Sequence, residues 1–320
     1  MAPNACRILL AFLCAAAASQ AQQGPAAIPE WQTAAGGKLA FEVASVKPST
    51  ESEFRGPNFP LDNGDAFVNL TNGELPRGRF SARFPLSVYI TFAYKFRPSP
   101  DQRRAMLAAL PKWVSSDMYD IEARAPMSNA TKDQMRLMMQ SLLAERFHLA
   151  AHFENQTVPV FALVLAKPGK PGPNLRPHES GPPCNSAGGS RPQDKDVFPP
   201  DCETYMLTMQ QNGTHRLGSR HTTMDLLASS IPTAGEVTRP VVDHTGLSGR
   251  FDFKLEWMHE ANNATSAAGA GPAGPLPNDG QTAGPTFLEA LNDQLGLKLE
   301  ATKAPVPMLV IDHVERPSEN

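Results

Sequence analysis

An internal repeat is the feature that most constrains how this chain can fold. Residues 80–83, followed by apolar residues at helical spacing, correspond to residues 217–220 and a similar stretch, at an offset of 137 positions. Residues 119–121 correspond to residues 251–253 at an offset of 132. Because the similar segments follow one another in the same order, we interpret them as two copies of one structural unit.

A third correspondence extends the repeat towards the end of the chain. Pro159 and Pro307 lie in similar apolar stretches at an offset of 148, and we expect each proline to open the last strand of its copy. The increase in offset from 132 to 148 is explained by residues 261–281, whose Ala, Gly, Pro and Asn content predicts a flexible surface insertion. We therefore expect an α+β fold of two pseudo-repeats. Each would be a small mixed or antiparallel sheet with two helices packed on one face.

Composition divides the chain into successive segments. We expect a signal peptide at 1–21, a linker at 22–38, a first α+β repeat at 39–167, a Pro/Gly-rich insert with a Cys pair at 168–203, and a second α+β repeat at 204–320. Alternating apolar residues predict strands, and apolar residues three and four apart predict helices. The clearest helix is 131–147, which opens with a capping box, and a second capping box opens at Thr286. Residues 149–153 and 158–165 are interpreted as two strands that pair with each other.

The first 21 residues have the features of a secretory signal. Arg7 is followed by an apolar stretch at 8–18 that is too short to span a bilayer well. Residues 19–21, Ser-Gln-Ala, fit a signal peptidase site. No later stretch is long and apolar enough to cross a membrane, so we expect an exported, periplasmic or extracellular protein without a transmembrane segment in its mature form. Retention of the segment as an anchor is the alternative.

Two cysteines follow the signal segment. Cys184 and Cys202 form an even pair in what we expect to be an oxidising compartment, which favours a disulfide between them. A metal site is the alternative, with Asp201 and Glu203 flanking one cysteine. It would need two further ligands, and the neighbouring sequence has no CxxC or HxxxH pattern to provide them.

The near balance of acidic and basic residues bears on the kinds of partner that the chain could bind. The chain has 29 basic and 32 acidic residues and a net charge of −3, which argues against nucleic acid or an anionic membrane as the partner. Motifs for a serine nucleophile, a dinucleotide or a P-loop phosphate site are absent from the sequence. His148 and His152 are four residues apart, but Leu149 stands where a zinc protease has Glu, and the repeat places this stretch in a strand. We therefore assign no metal, cofactor or catalytic residue.

Residues 240–253 contain the sharpest local motif, which predicts a strand, a turn and a second strand. Its turn or binding candidates are Asp243, His244, Gly246, Gly249 and Arg250. Asp243 next to His244 suggests acid–base chemistry, but adjacent residues of a strand point to opposite faces. We interpret the motif as a polar turn, in which Asp243 bonds to local backbone and the glycines adopt positive φ.

Several of these segments together resemble a known family. They are residues 41–48, 113–121, 142–147, 242–253 and 295–317. They are similar to a paralogue-rich domain-of-unknown-function family of exported soil-bacterial proteins, most abundant in acidobacteria. The resemblance implies a signal peptide and no assigned activity. Some relatives join this region to a membrane metallopeptidase of the antibiotic-sensor type, which implies a sensing or envelope role.

A second resemblance concerns the repeat alone. Residues 286–291 with 295–297 are similar to the short N-terminal domain of secretins and TonB-dependent receptors, which is a small interaction module. By analogy we expect a non-catalytic binding or interaction module of the cell envelope, with an unknown envelope protein or ligand as its partner. The alternatives are a hydrolase whose site is built from dispersed residues and a sensor module that acts with a membrane peptidase.

We predict export with cleavage after Ala21, because Ser19 and Ala21 are the small residues that a signal peptidase requires. N-terminal sequencing of protein recovered from the periplasm or the medium should begin at Gln22. A cytoplasmic chain that retains Met1 would contradict this prediction.

Overall fold

The structure is a computed structural model that describes residues 29–50, 56–65, 67, 76–181, 184, 197–199, 202–210, 212–235, 237–258 and 284–317. The predicted signal peptide at 1–21 and the insertion at 261–281 lie outside the described residues. The described residues form seven α-helices and three small sheets. The predicted α+β class is therefore confirmed.

The elements alternate along the chain. The helices are α1 (Glu30–Ala34), α2 (Leu86–Ala93), α3 (Pro100–Ala108), α4 (Trp113–Ser116), α5 (Lys132–Phe147), α6 (Met224–Ala234) and α7 (Phe287–Leu295). The strands are β1 (Val43–Ser49), β2 (Arg79–Pro85), β3 (Met118–Arg124), β4 (Ala150–Leu165), β5 (Leu175–Pro177), β6 (Tyr205–Met209), β7 (Thr214–Thr222), β8 (Val241–Asp243), β9 (Phe251–Met258) and β10 (Leu297–His313).

Capping residues set the starts of the longer helices. Thr131 and Gln134 form the predicted box before α5, with each side chain bonded to the other residue's backbone N–H. Thr286 does the same with Glu289 before α7. A third box, formed by Ser99 with a glutamine, opens α3, a helix that the sequence analysis did not include. The boxes satisfy N–H groups that no preceding helical turn can pair.

Two antiparallel sheets have related strand orders. The first is β1-β3-β2, and the second is β5-β9-β7-β6, so β3 and β9 are internal strands. Ala82 pairs with Ile121 in the first sheet, and Ser219 pairs with Phe253 in the second, which agrees with the predicted offsets. The connections differ, because α3 and α4 precede β3, whereas the short strand β8 precedes β9. The duplication itself stays a prediction.

The third sheet corrects the prediction of two paired strands at 149–153 and 158–165. These residues belong to one continuous strand, β4, which pairs antiparallel with β10 from Leu165 opposite Leu297 to Ala150 opposite His313. The other edge of β4 pairs with the short parallel strand β8. The local sequence suggested a break at 154–157 because its residues are polar, but the long partner strand keeps this stretch extended.

Pro159 and Pro307 lie within β4 and β10, so the prediction that they open the last strands was wrong. Two positions after Pro159, the Phe161 N–H donates to Pro240 beside β8. Alternate residues of a strand direct their backbone groups to the same edge. The backbone of Pro159 therefore also faces the β8 edge, at a point where β8 has not yet begun to pair. The Pro307 carbonyl faces α3 and accepts from Gln102 at 3.2 Å. Neither proline therefore removes a bond from the β4–β10 ladder.

Segments predicted as linkers also contain regular structure. Helix α1 lies within the linker expected at 22–38. Strand β5 lies within the insert expected at 168–203 and pairs with β9, which makes part of the insert an edge of the second sheet. Among the described residues, no helix is both long and apolar enough to cross a membrane.

A buried cation fastens the loop at 56–65 to α5. Arg136 is fully buried, and its guanidinium donates to the backbone oxygens of Asp62 at 2.7 Å and Gly64 at 2.8 Å, and also to the Asp133 carboxylate. Burial lowers the pKa of Arg136, while Asp133 acts to raise it. The guanidinium thus satisfies loop carbonyls that no strand or helix pairs.

We predict that Arg136→Ala lowers the free energy of unfolding by about 3 kcal/mol, because it removes the donor from these carbonyls and breaks a buried ion pair. Arg104→Ala is the matched control, since its side chain is 73% exposed and pairs with Asp101 on the surface of α3. The control should change the free energy by at most about 0.5 kcal/mol. Urea denaturation followed by circular dichroism measures both, and equal effects would contradict the prediction.

Candidate functional site

Polar groups from distant parts of the sequence converge on Asp252 in β9. Its Oδ1 atom accepts from Nδ1 of His178 at 2.7 Å and from the backbone N–H of His221 at 2.9 Å. Nε of Arg220 lies 3.8 Å from Oδ2. The Asp252 side chain is only 19% exposed, so these partners replace water around its carboxylate.

Strand pairing brings His178 to Asp252. Strand β5 ends at Pro177, opposite Phe251. The next residue, His178, donates its backbone N–H to the Arg250 carbonyl at 2.9 Å and begins a 3-10 turn. Strand β5 thus ends at a point from which the next side chain, that of His178, reaches Asp252, the second residue of β9. The ring is held in place, because the His178 side chain is only 14% exposed.

A β-bulge positions His221. The register of β7 on β9 shifts between Ser219 and Thr222, and His221 has a left-handed backbone with φ of 57°, a conformation uncommon for residues other than Gly. Nδ1 of His221 bonds to Glu203 at 2.9 Å, and its ring packs edge-on against His178 with centroids 4.9 Å apart. The bulge therefore orients His221 so that its ring packs against the His178 ring.

The second ring nitrogen of His178 faces sulfur. A carboxylate only accepts hydrogen bonds, so Nδ1, which contacts Asp252, carries a proton. Nε2 lies 3.4 Å from Sγ of Cys184. Asp252, His178 and Cys184 thus form a line from a carboxylate through an imidazole to a sulfur atom. We call these three residues, together with Cys202, the Asp252 cluster.

The predicted disulfide between Cys184 and Cys202 is present, with a Cα–Cα distance of 5.7 Å. A loop of this size stabilises a fold by about 3 kcal/mol in the chain-entropy model. The donor atoms of His178 and both cysteines lie within 4.8 Å of one another, but zinc binds thiolates, and these sulfurs are bonded to each other. Of the two acidic residues considered as metal ligands, Glu203 bonds to His221, and Asp201 lies outside the described residues.

A cleft of about 380 Å³ adjoins the Asp252 cluster. Among the described residues, three cationic side chains line it, from Arg176, Arg220 and Lys254, with the one carboxylate of Asp252. The ring of Phe198 also lines the cleft, whereas the Phe253 side chain is buried in the core on the opposite face of β9. It therefore combines a positive charge excess with flat apolar surface.

Gly218 on β7 makes room for the Phe198 wall of the cleft. A Cβ atom at this position would lie 2.6 Å from the Phe198 ring, closer than any normal contact. The guanidinium of Arg216 covers the same ring, 5.4 Å from its centroid. A residue without a side chain is thus needed where this ring crosses the strand.

The predicted turn or binding residues lie partly at this site. They are Asp243, His244, Gly246, Gly249 and Arg250. Asp243 accepts from the backbone of Thr245 at 2.9 Å, and both glycines have positive φ. The His244 side chain is exposed. Arg250 donates to the His221 carbonyl at 3.2 Å and so reaches the edge of the Asp252 cluster.

His148 and His152 do not share a ligand site. His148 ends α5 with φ of 48°. His152 lies on β4 between Asp312 at 2.8 Å and Glu154 at 3.2 Å, and these carboxylates raise its pKa. A larger cavity of about 690 Å³ lies between α1 and α5, and among the described residues Lys38 is its one charged lining residue.

Sequence reasoning missed His178, His221 and the role of Asp252. The repeat did indicate one relation, because it matched Asp252 with Asp120. Asp120 also lies on an internal strand, and it binds Arg83 at 2.9 Å. Nothing in the local sequence showed that a histidine from the Pro/Gly-rich insert would reach Asp252.

Comparison with known proteins identifies a family. No curated protein and no solved structure matches the chain. Residues 87–314 match the family described as "Protein of unknown function (DUF3738)", which agrees with the resemblance to a family of unknown function. The match covers well over half of the 320 residues and includes all three sheets in part. The chain therefore belongs to this family of proteins of unknown function.

Proposed function

We propose that this protein is an exported binding module of the cell envelope, and that it holds a small organic anion in the cleft beside the Asp252 cluster. The observation that carries the proposal is the lining of that cleft. Among the described lining residues, Arg176, Arg220 and Lys254 are cationic and Asp252 is anionic, and the Phe198 ring provides apolar contact. Binding sites for small molecules commonly pair apolar walls with a few such polar groups.

The charge of Asp252 is already engaged by other groups. Its Oδ1 atom accepts from His178 and from the His221 backbone. Lys254 is 45% exposed and lies 3.9 Å from Glu256, a loose surface contact. An anion with a flat apolar body, such as an aromatic carboxylate, fits this set of groups: its charge meets the cations and its ring meets Phe198.

Export is supported by two features of the sequence. The first is the basic and apolar N-terminal segment ending in Ser-Gln-Ala at 19–21. The second is the cysteine pair joined as a disulfide, since disulfides persist mainly in oxidising compartments. Because we propose that the chain lies in the cell envelope, we also propose an envelope protein as a further partner.

We predict that benzoate binds the purified chain and that its neutral isostere benzamide binds at least about tenfold more weakly, a difference of 1.4 kcal/mol. Isothermal titration calorimetry measures both. Lys254→Ala should weaken benzoate binding and leave benzamide unchanged, because it removes charge and keeps the Phe198 ring. Raising the salt concentration should act in the same direction.

Lys298→Ala is the matched control, because Lys298 is equally exposed and pairs with Glu300 on β10, outside the cleft. Gly218→Ala tests the apolar wall, since its Cβ displaces Phe198, and should weaken both compounds. Equal affinity for benzoate and benzamide, no binding of either, or an equal loss in the control would refute the proposed ligand class.

A further inference from the structure

The Asp252 cluster contains an acid–base group in contact with a disulfide. Nε2 of His178 lies 3.4 Å from Sγ of Cys184, and Nδ1 of the same ring is bonded to Asp252 at 2.7 Å. Cys184 and Cys202 are accessible to solvent, whereas the His178 side chain is 14% exposed. The ring is therefore fixed by protein contacts, and both cysteines are at least partly exposed.

The same position in the first sheet is used differently. Asp120 on β3 pairs with Arg83 at 2.9 Å, whereas the corresponding arginine, Arg220, lies 3.8 Å from Asp252. The Asp252 carboxylate instead holds an imidazole beside sulfur. An ion pair between neighbouring strands explains the contact of Asp120 with Arg83. It does not explain why Asp252 holds a histidine from a separate segment against a disulfide.

We propose that the Cys184–Cys202 disulfide is a thiol–disulfide exchange site that a dithiol reduces, with His178 as the catalytic acid and Asp252 as its positioning residue. The thiolate of the dithiol attacks Sγ of Cys202, and the bond to Cys184 breaks. The electron pair stays on Sγ of Cys184, beside the protonated Nε2 of His178. The second thiol of the dithiol then displaces Cys202, so that the dithiol becomes oxidised and the protein holds two reduced cysteines.

The role of His178 follows from the departure of the thiolate. Exchange is faster when the leaving sulfur is stabilised as an anion, and a cationic imidazole beside a cysteine does this. Asp252 bonds to Nδ1 and so keeps Nε2 directed at sulfur, as a carboxylate does for a catalytic histidine. Cys202 has no such contact among the described residues, so the two cysteines should differ in reactivity.

Charged or titratable groups of the neighbouring elements contact the His178 ring directly or contact its partners Asp252 and His221. They are Asp252 on β9, Arg250 before β9, Arg220 and His221 in the bulge of β7, and Glu203 before β6. Among the described residues, these are two carboxylates, two guanidinium groups and one imidazole. Asp252 is the carboxylate that bonds directly to the His178 ring.

The test measures the rate at which dithiothreitol reduces the oxidised, purified chain in the presence of EDTA. Free thiols are alkylated at successive times, and the products are identified by mass spectrometry. His178→Asn should slow reduction about tenfold near pH 6, where an imidazole is largely protonated, and have little effect near pH 9, where it is neutral. Asp252→Asn should reduce the rate near pH 6 and flatten the same pH profile. His244→Asn, an exposed histidine of the turn at 243–249, should match the unsubstituted chain.

A second measurement needs no substitution. After reduction, iodoacetamide at about pH 6 should alkylate Cys184 before Cys202, because only Cys184 contacts an imidazole. Equal alkylation of the two cysteines would overturn the proposal even if His178→Asn failed to fold. So would identical rates for His178→Asn and the unsubstituted chain across the pH range, or an equal decrease in His244→Asn. Neither readout involves benzoate, so the result does not depend on the proposed ligand.

Discussion

The antiparallel pairing of β4 with β10 holds the two halves of this protein together. Each strand is long enough to contribute to both cores: Leu309 of β10 is buried with the first sheet, and Leu297 of the same strand is buried with the second. Leu163 of β4 also lies in the second core. Because each strand rises about 3.3 Å per residue, one ladder of this length spans both cores and fixes their relative position.

The second core creates the site. Strand β9 is internal, with β7 on one side and the short strand β5 on the other. This placement buries most of Asp252 and leaves its carboxylate within reach of both neighbours. The bulge in β7 and the turn after β5 then supply His221 and His178. Asp120 on the internal strand of the first sheet forms an ion pair with Arg83, whereas Asp252 on the internal strand of the second sheet holds an imidazole beside sulfur.

Local patterns predicted the parts of the fold that local forces decide. Both predicted capping boxes are present, because the bonds between Thr131 and Gln134 and between Thr286 and Glu289 join residues only three apart. The same reasoning missed the third box, at Ser99, although its signal was equally local. It also divided β4 into two strands, because the stability of a long strand depends on its partner, which is distant in sequence.

The sequence by itself determined the α+β class, the starts of α5 and α7 and the cysteine pair, since each depends on residue type and short spacing. Tertiary structure alone decided that His178 meets Asp252 across 74 positions and that Cys184 faces the imidazole. A hydrogen bond requires a distance near 2.8 Å and a suitable angle. Only the pairing of β5 with β9 and the bulge in β7 establish that geometry, because no pattern within a short segment specifies the relative position of separate strands.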